Sequence, residues 1–104
     1  MREYEIENYL VQSVIKLGGI CYKFQSPGRR GVPDRICVFP HREVAFVELK
    51  SPTGITTPKQ DFEIREIKKR GHFAVVINSR PRVDAFISYM KKRISLRQRL
   101  KEVI

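Results

Sequence analysis

Apolar residues recur along this chain with two periods, one typical of helices and one typical of strands. Within residues 3–17, the apolar side chains that lie three or four positions apart are Ile6, Leu10, Val14 and Leu17. This spacing predicts an amphipathic helix, and the glycine pair at 18–19 predicts its C-terminal end. A last helix is predicted from residue 79 onward, where one side carries Phe86, Ile87, Met90 and Ile94.

Between these helices, runs rich in β-branched and aromatic residues predict four strands. The runs cover residues 20–25, 34–40, 44–50 and 72–78. A further helix is predicted up to Arg70, because Thr57 fits the N-cap and Pro58 the first helical position. Gln60 completes a capping box with Thr57. The order α-β-β-β-α-β-α indicates an α/β fold with a central mixed sheet flanked by helices.

Length and composition favour a single domain with one core. The chain has 104 residues, of which 41% are hydrophobic. We expect the domain to span residues 1–94, and the basic segment 95–104 to continue the last helix, to fray or to pack on a partner. No apolar run is long enough to cross a membrane, and the acidic start MREYEIENYL is unlike a signal peptide. A cytoplasmic location is therefore expected.

The two cysteines are expected to be small buried hydrophobic residues. Cys21 and Cys37 both lie in apolar runs predicted to be strands. His41 and His72 stand alone, without the spacing to either cysteine that a zinc site needs. Disulfide bonding and metal ligation are the less favoured alternatives.

The chain is strongly basic. It carries 21 Lys and Arg residues against 11 Asp and Glu, a net charge of +10. An excess of this size attracts polyanions at long range and gains affinity by counterion release. Nucleic acid is therefore the predicted partner, and a merely soluble basic protein is the alternative.

Two charged residues interrupt the apolar pattern near the end of the third strand. Alternate residues of a strand point to the same face, so Glu48 and Lys50 project together. The strand that begins at Asp34 is expected to pair with theirs as a hairpin around residues 41–43. In that register, positions whose numbers sum to about 84 lie opposite each other, and Asp34 lies across from about Lys50. Two carboxylates and one amine would then meet at one end of the sheet.

Such a cluster is suited to metal-assisted cleavage of a phosphodiester. Two close carboxylates repel each other, and a divalent cation such as Mg²⁺ relieves that repulsion. The cation can polarise the phosphate and acidify a bound water, while Lys50 can orient or activate that water. The backbone carbonyl of Leu49, between Glu48 and Lys50, is a candidate for a further ligand.

The first helix offers another carboxylate. Glu7 shares a side with Leu10 and Val14, whereas Glu5 lies on the opposite side with Lys16. Glu7 is therefore predicted to reach the site, and Glu5 is not. A carboxylate on a core-facing stripe is unfavourable unless it is paired, so a metal ion or another cation is expected beside Glu7.

Gln60 has two interpretations. As a capping-box residue it needs no further function. It also shares a helix side with Ile64 and Ile67, which points it towards the sheet, where it could bind the attacking water or a phosphate. On the residues alone both interpretations stay open, and the family resemblance described below favours a role in the site.

Several polar and basic residues are candidates for DNA contact. Arg29 and Arg30 lie in a glycine-containing loop where the backbone can approach a phosphate closely. Lys23 and Gln25 point together from the strand that leads into this loop. Lys59, in the first turn of the second helix, is a further predicted contact.

The motifs GVPDR and VELK together resemble those of the PD-(D/E)xK nuclease superfamily. The fuller pattern resembles its virus-type replication-repair nuclease branch, the VRR-NUC domain. The matching segments follow the family's order over residues 5–80 and are IENYLV, GGICYKF, PGRRGVPDR, FVELKSPTG, TPKQ and RGHFAVVINS. This agreement is far more specific than the short superfamily motif alone.

The resemblance implies a restriction-endonuclease-like fold and Mg²⁺- or Mn²⁺-dependent hydrolysis of DNA. The family's acidic residues match Glu7, Asp34 and Glu48, its lysine matches Lys50, and its helix glutamine matches Gln60. Small stand-alone members, often encoded by phages, resemble structure-selective homodimeric nucleases that act on branched DNA, including four-way junctions. Larger proteins carry the domain for DNA repair. A bacterial or phage-infected cell is therefore the expected setting.

We therefore expect a metal-dependent, structure-selective DNA endonuclease. Glu7, Asp34, Glu48 and the Leu49 carbonyl are expected to hold one or two metal ions. One alternative is a non-catalytic nucleic-acid-binding module, which predicts no metal dependence and no effect of Asp34→Ala beyond charge. A weaker alternative is a structural ion-pair network, which predicts that Glu48→Gln or Lys50→Met harms stability more than activity.

Overall fold

The computed structural model describes residues 1–103 and contains, within them, three helices and four strands in the predicted order. The helices are α1 (Glu3–Lys16), α2 (Pro58–Lys69) and α3 (Arg80–Val103). The strands are β1 (Ile20–Lys23), β2 (Arg35–Val38), β3 (Val44–Leu49) and β4 (Phe73–Ile77). No helix in this described part is both long and apolar enough to cross a membrane.

The strands form one mixed sheet in the order β1-β2-β3-β4. β1 pairs with β2 and β2 with β3 in antiparallel orientation, whereas β3 and β4 are parallel. A parallel pair needs a crossover connection, which α2 supplies. The predicted α/β fold with a mixed central sheet flanked by helices is confirmed.

The main core lies between α1, α3 and one face of the sheet. Side chains alternate along a strand, and the buried residues of β3 on this face are Ala45, Val47 and Leu49. The buried residues of α1 that join them are Ile6, Leu10 and Val14. The corresponding residues of α3 are Val83, Phe86 and Met90. The helical periodicity in the sequence therefore marks the side of each helix that packs on the sheet.

The cysteines are part of this core. Cys21 of β1 and Cys37 of β2 are direct cross-strand partners, with their Sγ atoms 3.7 Å apart. Both are free thiols, Cys37 buried and Cys21 partly buried. They occupy the small, mostly buried positions that the sequence predicted.

The predicted ends of the helices are observed and have local causes. Gly18 follows α1 and Gly71 follows α2, with φ angles of 85° and 86° in the left-handed region that glycine adopts most easily. At the start of α2, the Thr57 side chain accepts a hydrogen bond from the Gln60 backbone N–H at 3.1 Å. Each of these signals depends on residues only a few positions apart.

The β2–β3 hairpin is shifted by two positions from the predicted register. Arg35 pairs with Val47, and the Phe39 N–H donates to the Glu43 carbonyl at 2.8 Å. Opposed residue numbers therefore sum to 82, and the turn is centred on His41. Two residues of this turn, His41 and Arg42, adopt φ angles of 59° and 67°, a left-handed backbone conformation that the residue types did not predict. A shift of two positions keeps every side chain on its predicted face.

α3 continues through the segment predicted as a basic tail. It runs from Arg80 to Val103, and the last residue of the chain lies outside the described residues. Its second half is attached to the hairpin by Glu43, a buried carboxylate that accepts hydrogen bonds from Arg93 and Arg97 at 3.1 and 2.9 Å. Of the outcomes expected for the tail, continuation of the helix is the one observed as far as Val103.

Candidate active site

Two carboxylates meet at one end of the β2–β3 pair. Asp34 directly precedes β2, and extension of the observed register by one residue places it opposite Glu48, where Lys50 was predicted. The Asp34 Oδ2 atom accepts a hydrogen bond from the Leu49 backbone N–H at 2.8 Å. The sequence therefore correctly predicted that Asp34 lies near Glu48 and Lys50. The predicted register of β2 and β3 was wrong, because the turn between them is centred one residue earlier than expected.

Glu48 is the most deeply buried charged group of this cluster, with 2% of the residue exposed. It points to the face of the sheet opposite Val47 and Leu49, on the side where α2 lies. Its Oε2 accepts a hydrogen bond from Gln60 Nε2 at 3.0 Å and lies 3.1 Å from Lys50 Nζ. Its Oε1 is buried and has no hydrogen-bond partner among the described residues. A buried acceptor in this state is unfavourable unless a cation or donor joins it.

The pKa of Glu48 is raised to about 7. Burial is the main cause, because it disfavours the charged form, and the negative charge of Asp34 adds to it. The hydrogen bond and positive charge of Lys50 act in the opposite direction. Glu48 therefore exchanges its proton near neutral pH, and a cation at this carboxylate would favour the ionised form.

Lys50 and Gln60 are held in place by backbone contacts on the same side of the sheet. The Lys50 N–H donates to the Ile77 carbonyl at 3.0 Å, and only 16% of the lysine side chain is exposed. Gln60 takes part in the predicted capping box and also faces the candidate site, because its Oε1 accepts the Thr57 N–H at 2.9 Å while its Nε2 donates to Glu48. Its role in binding water or a phosphate stays a prediction. The capping box thus orients the amide that contacts the carboxylate.

Glu7 lies at the margin of the cluster and is paired with an arginine. Its Oε2 accepts a hydrogen bond from Arg35 Nε at 2.9 Å, so the cation expected beside Glu7 is Arg35. Glu5 caps its own helix through the Arg2 backbone N–H. Within the part of the chain that the structure describes, no group of three or more His, Cys, Asp and Glu side chains is arranged to hold a metal ion. The role of Glu7 as a metal ligand stays a prediction that requires exchange of Arg35.

A cavity of about 280 Å³ lies beside this margin. Its lining residues are Glu3, Glu7, Lys23, Phe24, Gln25 and Asp34. Lys23 and Gln25 therefore face the same space as Asp34. Sequence reasoning missed Glu3, whose charge also raises the pKa of Glu48. Its spacing of four residues from Glu7 was the available signal, because such residues share a helix side.

The loop of residues 26–33 before Asp34, which contains Arg29 and Arg30 and is called the arginine loop below, is held against α2 by an ion pair. Arg29 Nε donates to both carboxylate oxygens of Glu63, at 2.8 and 2.9 Å. Glu63 is buried and also lies 3.5 Å from Lys59 Nζ. Arg30 is exposed. Sequence reasoning missed Glu63, although a glutamate three residues after Gln60 lies near the sheet-facing side of the helix.

The geometry at Asp34 and Glu48 fits a hard divalent cation. Mg²⁺ prefers oxygen ligands and keeps several waters, so one or two carboxylates are enough. The unpartnered Oε1 of Glu48 and the neighbouring Asp34 supply such oxygens. The Leu49 carbonyl remains a predicted further ligand.

The chain is similar along most of its length to proteins already known. The VRR-NUC domain profile matches residues 7–81, well over half of the chain. A protein of Acyrthosiphon pisum secondary endosymbiont phage 1, described as "Putative nuclease p44", is 48% identical over 79 residues, which are 76% of this chain and 85% of the phage protein. A solved structure of a VRR_NUC domain superposes with a TM-score of 0.78 at 31% identity and covers 83% of this chain and 94% of its own. The resemblance read from the motifs is thus confirmed, and the chain belongs to the VRR-NUC family of nuclease domains.

Proposed function

We propose that the protein is a metal-dependent DNA endonuclease that selects branched DNA. The observation that carries the proposal is the buried Oε1 of Glu48, which has no hydrogen-bond partner within residues 1–103 and lies next to the carboxylate of Asp34. Family membership and the phage relative support nuclease activity. The metal requirement and the branched substrate go beyond those comparisons.

Asp34 and Glu48, with the Leu49 carbonyl and Glu7 as predicted additions, are the residues that would hold Mg²⁺ or Mn²⁺. When bound, such an ion supplies positive charge at the phosphate and makes a nearby water more acidic. Lys50 is poised to orient that water and to offset negative charge that develops on the phosphate. Gln60 keeps Oε2 of Glu48 occupied, which directs Oε1 towards a ligand.

The protein is expected to grip the DNA backbone and to recognise shape more than sequence. Its net charge of +10 favours contact with phosphates. The predicted contacts are Lys23, Gln25, Arg29, Arg30 and Lys59, of which Lys23 and Gln25 line the cavity beside Asp34. Four-way junctions of the kind formed in DNA repair, in the cytoplasm of a bacterial or phage-infected cell, are the proposed substrates and setting.

The test compares cleavage of a supercoiled plasmid, a linear duplex and a four-way junction in Mg²⁺, in Mn²⁺ and in EDTA. We expect cleavage with either metal, none in EDTA, and the fastest reaction on the junction. Lys50→Ala should lower the rate by about 100-fold, because it removes a charge that acts in the transition state. Lys92→Ala, at an exposed position of α3, is the matched control and should cleave normally.

Intact DNA after long incubation with Mn²⁺ would refute the nuclease. Tight DNA binding without cleavage, unchanged by metal, would instead favour the non-catalytic binding module. Equal rates on junction and linear duplex would remove the branched preference alone.

We also propose that the protein is a homodimer, as the family resemblance implies, and an open apolar patch on the sheet supports this. α2 packs on β4, on the face of the sheet opposite the main core. On this face β1, β2 and the start of β3 are left uncovered. The exposed apolar residues there are Ile20, Tyr22, Val38 and Val44. Ile20 pairs with Val38 and Val38 with Val44, so they form a continuous row across three strands. A two-fold axis would place two copies of this patch together and provide two sites for two DNA strands.

Val38→Glu is expected to convert the dimer to a monomer, because it buries an unpaired charge at the centre of the patch. Sedimentation equilibrium over a range of concentrations measures the change. Ile55→Glu, at an exposed residue of the loop between β3 and α2, should leave the dimer intact. A wild-type protein that stays monomeric at high concentration would contradict the homodimer.

A further inference from the structure

We propose that Glu63 is a positioning residue that presents the Arg29 guanidinium to a DNA phosphate beside Asp34. The inference rests on the proposed function, and it adds the contact by which the loop of residues 26–33 grips the DNA backbone. It assigns a role to one of the few buried carboxylates in a chain with a net charge of +10.

One edge of the Arg29 side chain contacts the protein, and the rest is exposed to solvent. Its Nε is held by Glu63, and in the described residues both hydrogen bonds of the guanidinium come from this nitrogen. The Arg29 side chain is 54% exposed, whereas that of Glu63 is 6% exposed. The N–H groups of the two terminal nitrogens therefore remain for a ligand. A planar guanidinium that is held at its Nε edge is suited to bidentate contact with a phosphate through its two terminal nitrogens.

Close packing attaches the loop to the helix that carries Glu63. Gly31 has a φ of 83°, and a Cβ at this position would lie 2.8 Å from the Lys59 carbonyl oxygen. The loop therefore rests directly on the first turn of α2. Since Gln60 in the same turn bonds to Glu48, one helix positions both the arginine loop and the candidate metal site.

A second ion pair of α2 provides a comparison. Glu66 pairs at 2.8 Å with Arg70, the residue that caps the C-terminus of α2, and both side chains are more exposed than that of Glu63. Exposed pairs of this kind contribute little to stability. Glu63 is buried and reaches across 34 positions of sequence to the loop. The hydrogen bonds and charge of Arg29 hold the pKa of Glu63 below its ordinary value, so the carboxylate stays ionised.

The experiment is a double-mutant cycle on DNA binding. Fluorescence anisotropy follows the binding of a four-way junction in EDTA, which prevents cleavage, over a series of salt concentrations. Glu63→Met removes both acceptors while keeping a side chain of similar length. We expect it to weaken binding about threefold to tenfold, and to have no effect in an Arg29→Ala background. Charge alone predicts the opposite sign, because loss of a negative group favours DNA.

Three further variants separate positioning from a purely structural role. Arg29→Ala should reduce the slope of log affinity against log salt by about one, the mark of a lost phosphate contact. Glu63→Gln keeps one acceptor and should restore part of the affinity. Glu66→Met, which breaks the surface pair of the same helix, should bind at least as tightly as the wild type.

Equal or tighter binding by Glu63→Met, or an equal loss in the Arg29→Ala background, would overturn the proposal. A wild-type protein that does not bind DNA would overturn the proposed function itself, which is a distinguishable result. Thermal melting identifies variants that do not fold. If Glu63→Met is among them, the same cycle with Glu63→Gln decides, with an intermediate loss expected only when Arg29 is present.

Discussion

Asp34→Asn is expected to lower the rate of DNA cleavage by about 100-fold or more while the protein stays folded. Asparagine removes the negative charge that a cation would need. Its side-chain oxygen can still accept the Leu49 N–H, which Asp34 accepts at 2.8 Å. Initial rates of junction cleavage in Mn²⁺, together with thermal melting, measure the two parts of the prediction.

Comparison of Asp34→Ala with Asp34→Asn separates the loss of the negative charge from the loss of the hydrogen bond to the backbone. It also leaves the Leu49 N–H without its side-chain acceptor, so it should lower the free energy of unfolding by about 1–3 kcal/mol relative to Asp34→Asn. Asp84→Asn, at an exposed position of α3, is the control and should cleave at the wild-type rate. Near-normal cleavage by Asp34→Asn would exclude this carboxylate from the reaction.

Glu48→Gln is expected to remove a pH dependence of stability and a response to metal at the same time. The pKa of Glu48 is raised to about 7 in the folded protein, above its ordinary value of 4.5. The folded state therefore holds a proton that the unfolded state has released, and the contribution of Glu48 to stability falls as pH rises through this window. Between about pH 5 and about pH 8, the metal-free wild type should lose about 2–3 kcal/mol relative to Glu48→Gln.

Denaturant unfolding in EDTA at several pH values measures this difference, because subtraction of the two curves removes the other titrating groups. At the upper end of the range, Mn²⁺ should raise the melting temperature of the wild type and not that of Glu48→Gln, since the ion requires the carboxylate. Parallel curves for the two proteins would show that Glu48 titrates normally. Equal stabilisation of both by Mn²⁺ would place the metal elsewhere.

Local patterns predicted the helices and strands because their causes are local. The glycines after α1 and α2 and the capping box of Thr57 and Gln60 act within a few residues. Asp34, Glu48 and Lys50 could be brought together from sequence because β2 and β3 are joined by a short turn. The same reasoning missed the register by two positions, since the backbone of the turn, with its two positive φ angles, is not determined by residue type alone.

Ion pairs between residues far apart in the chain were not predicted from the sequence. Glu7 accepts a hydrogen bond from Arg35, and Glu63 accepts one from Arg29. The sequence contains many other arginines and lysines that could have paired with either carboxylate. Such a choice depends on distances of a few ångströms between elements that are far apart in the chain. The fold places Arg35 on β2 beside α1, and places the arginine loop on the first turn of α2.

By itself, then, the sequence determined the order of elements, the faces of the strands and the family, and it predicted the candidate site residues, because periodicity and motif are properties of neighbouring positions. The tertiary structure alone decided that Asp34 faces Glu48, that one buried oxygen of Glu48 has no partner in the described part of the chain, and that Arg35 holds Glu7 at the margin. These facts follow from packing and turn geometry, which bring distant residues within hydrogen-bond distance and which no local pattern encodes.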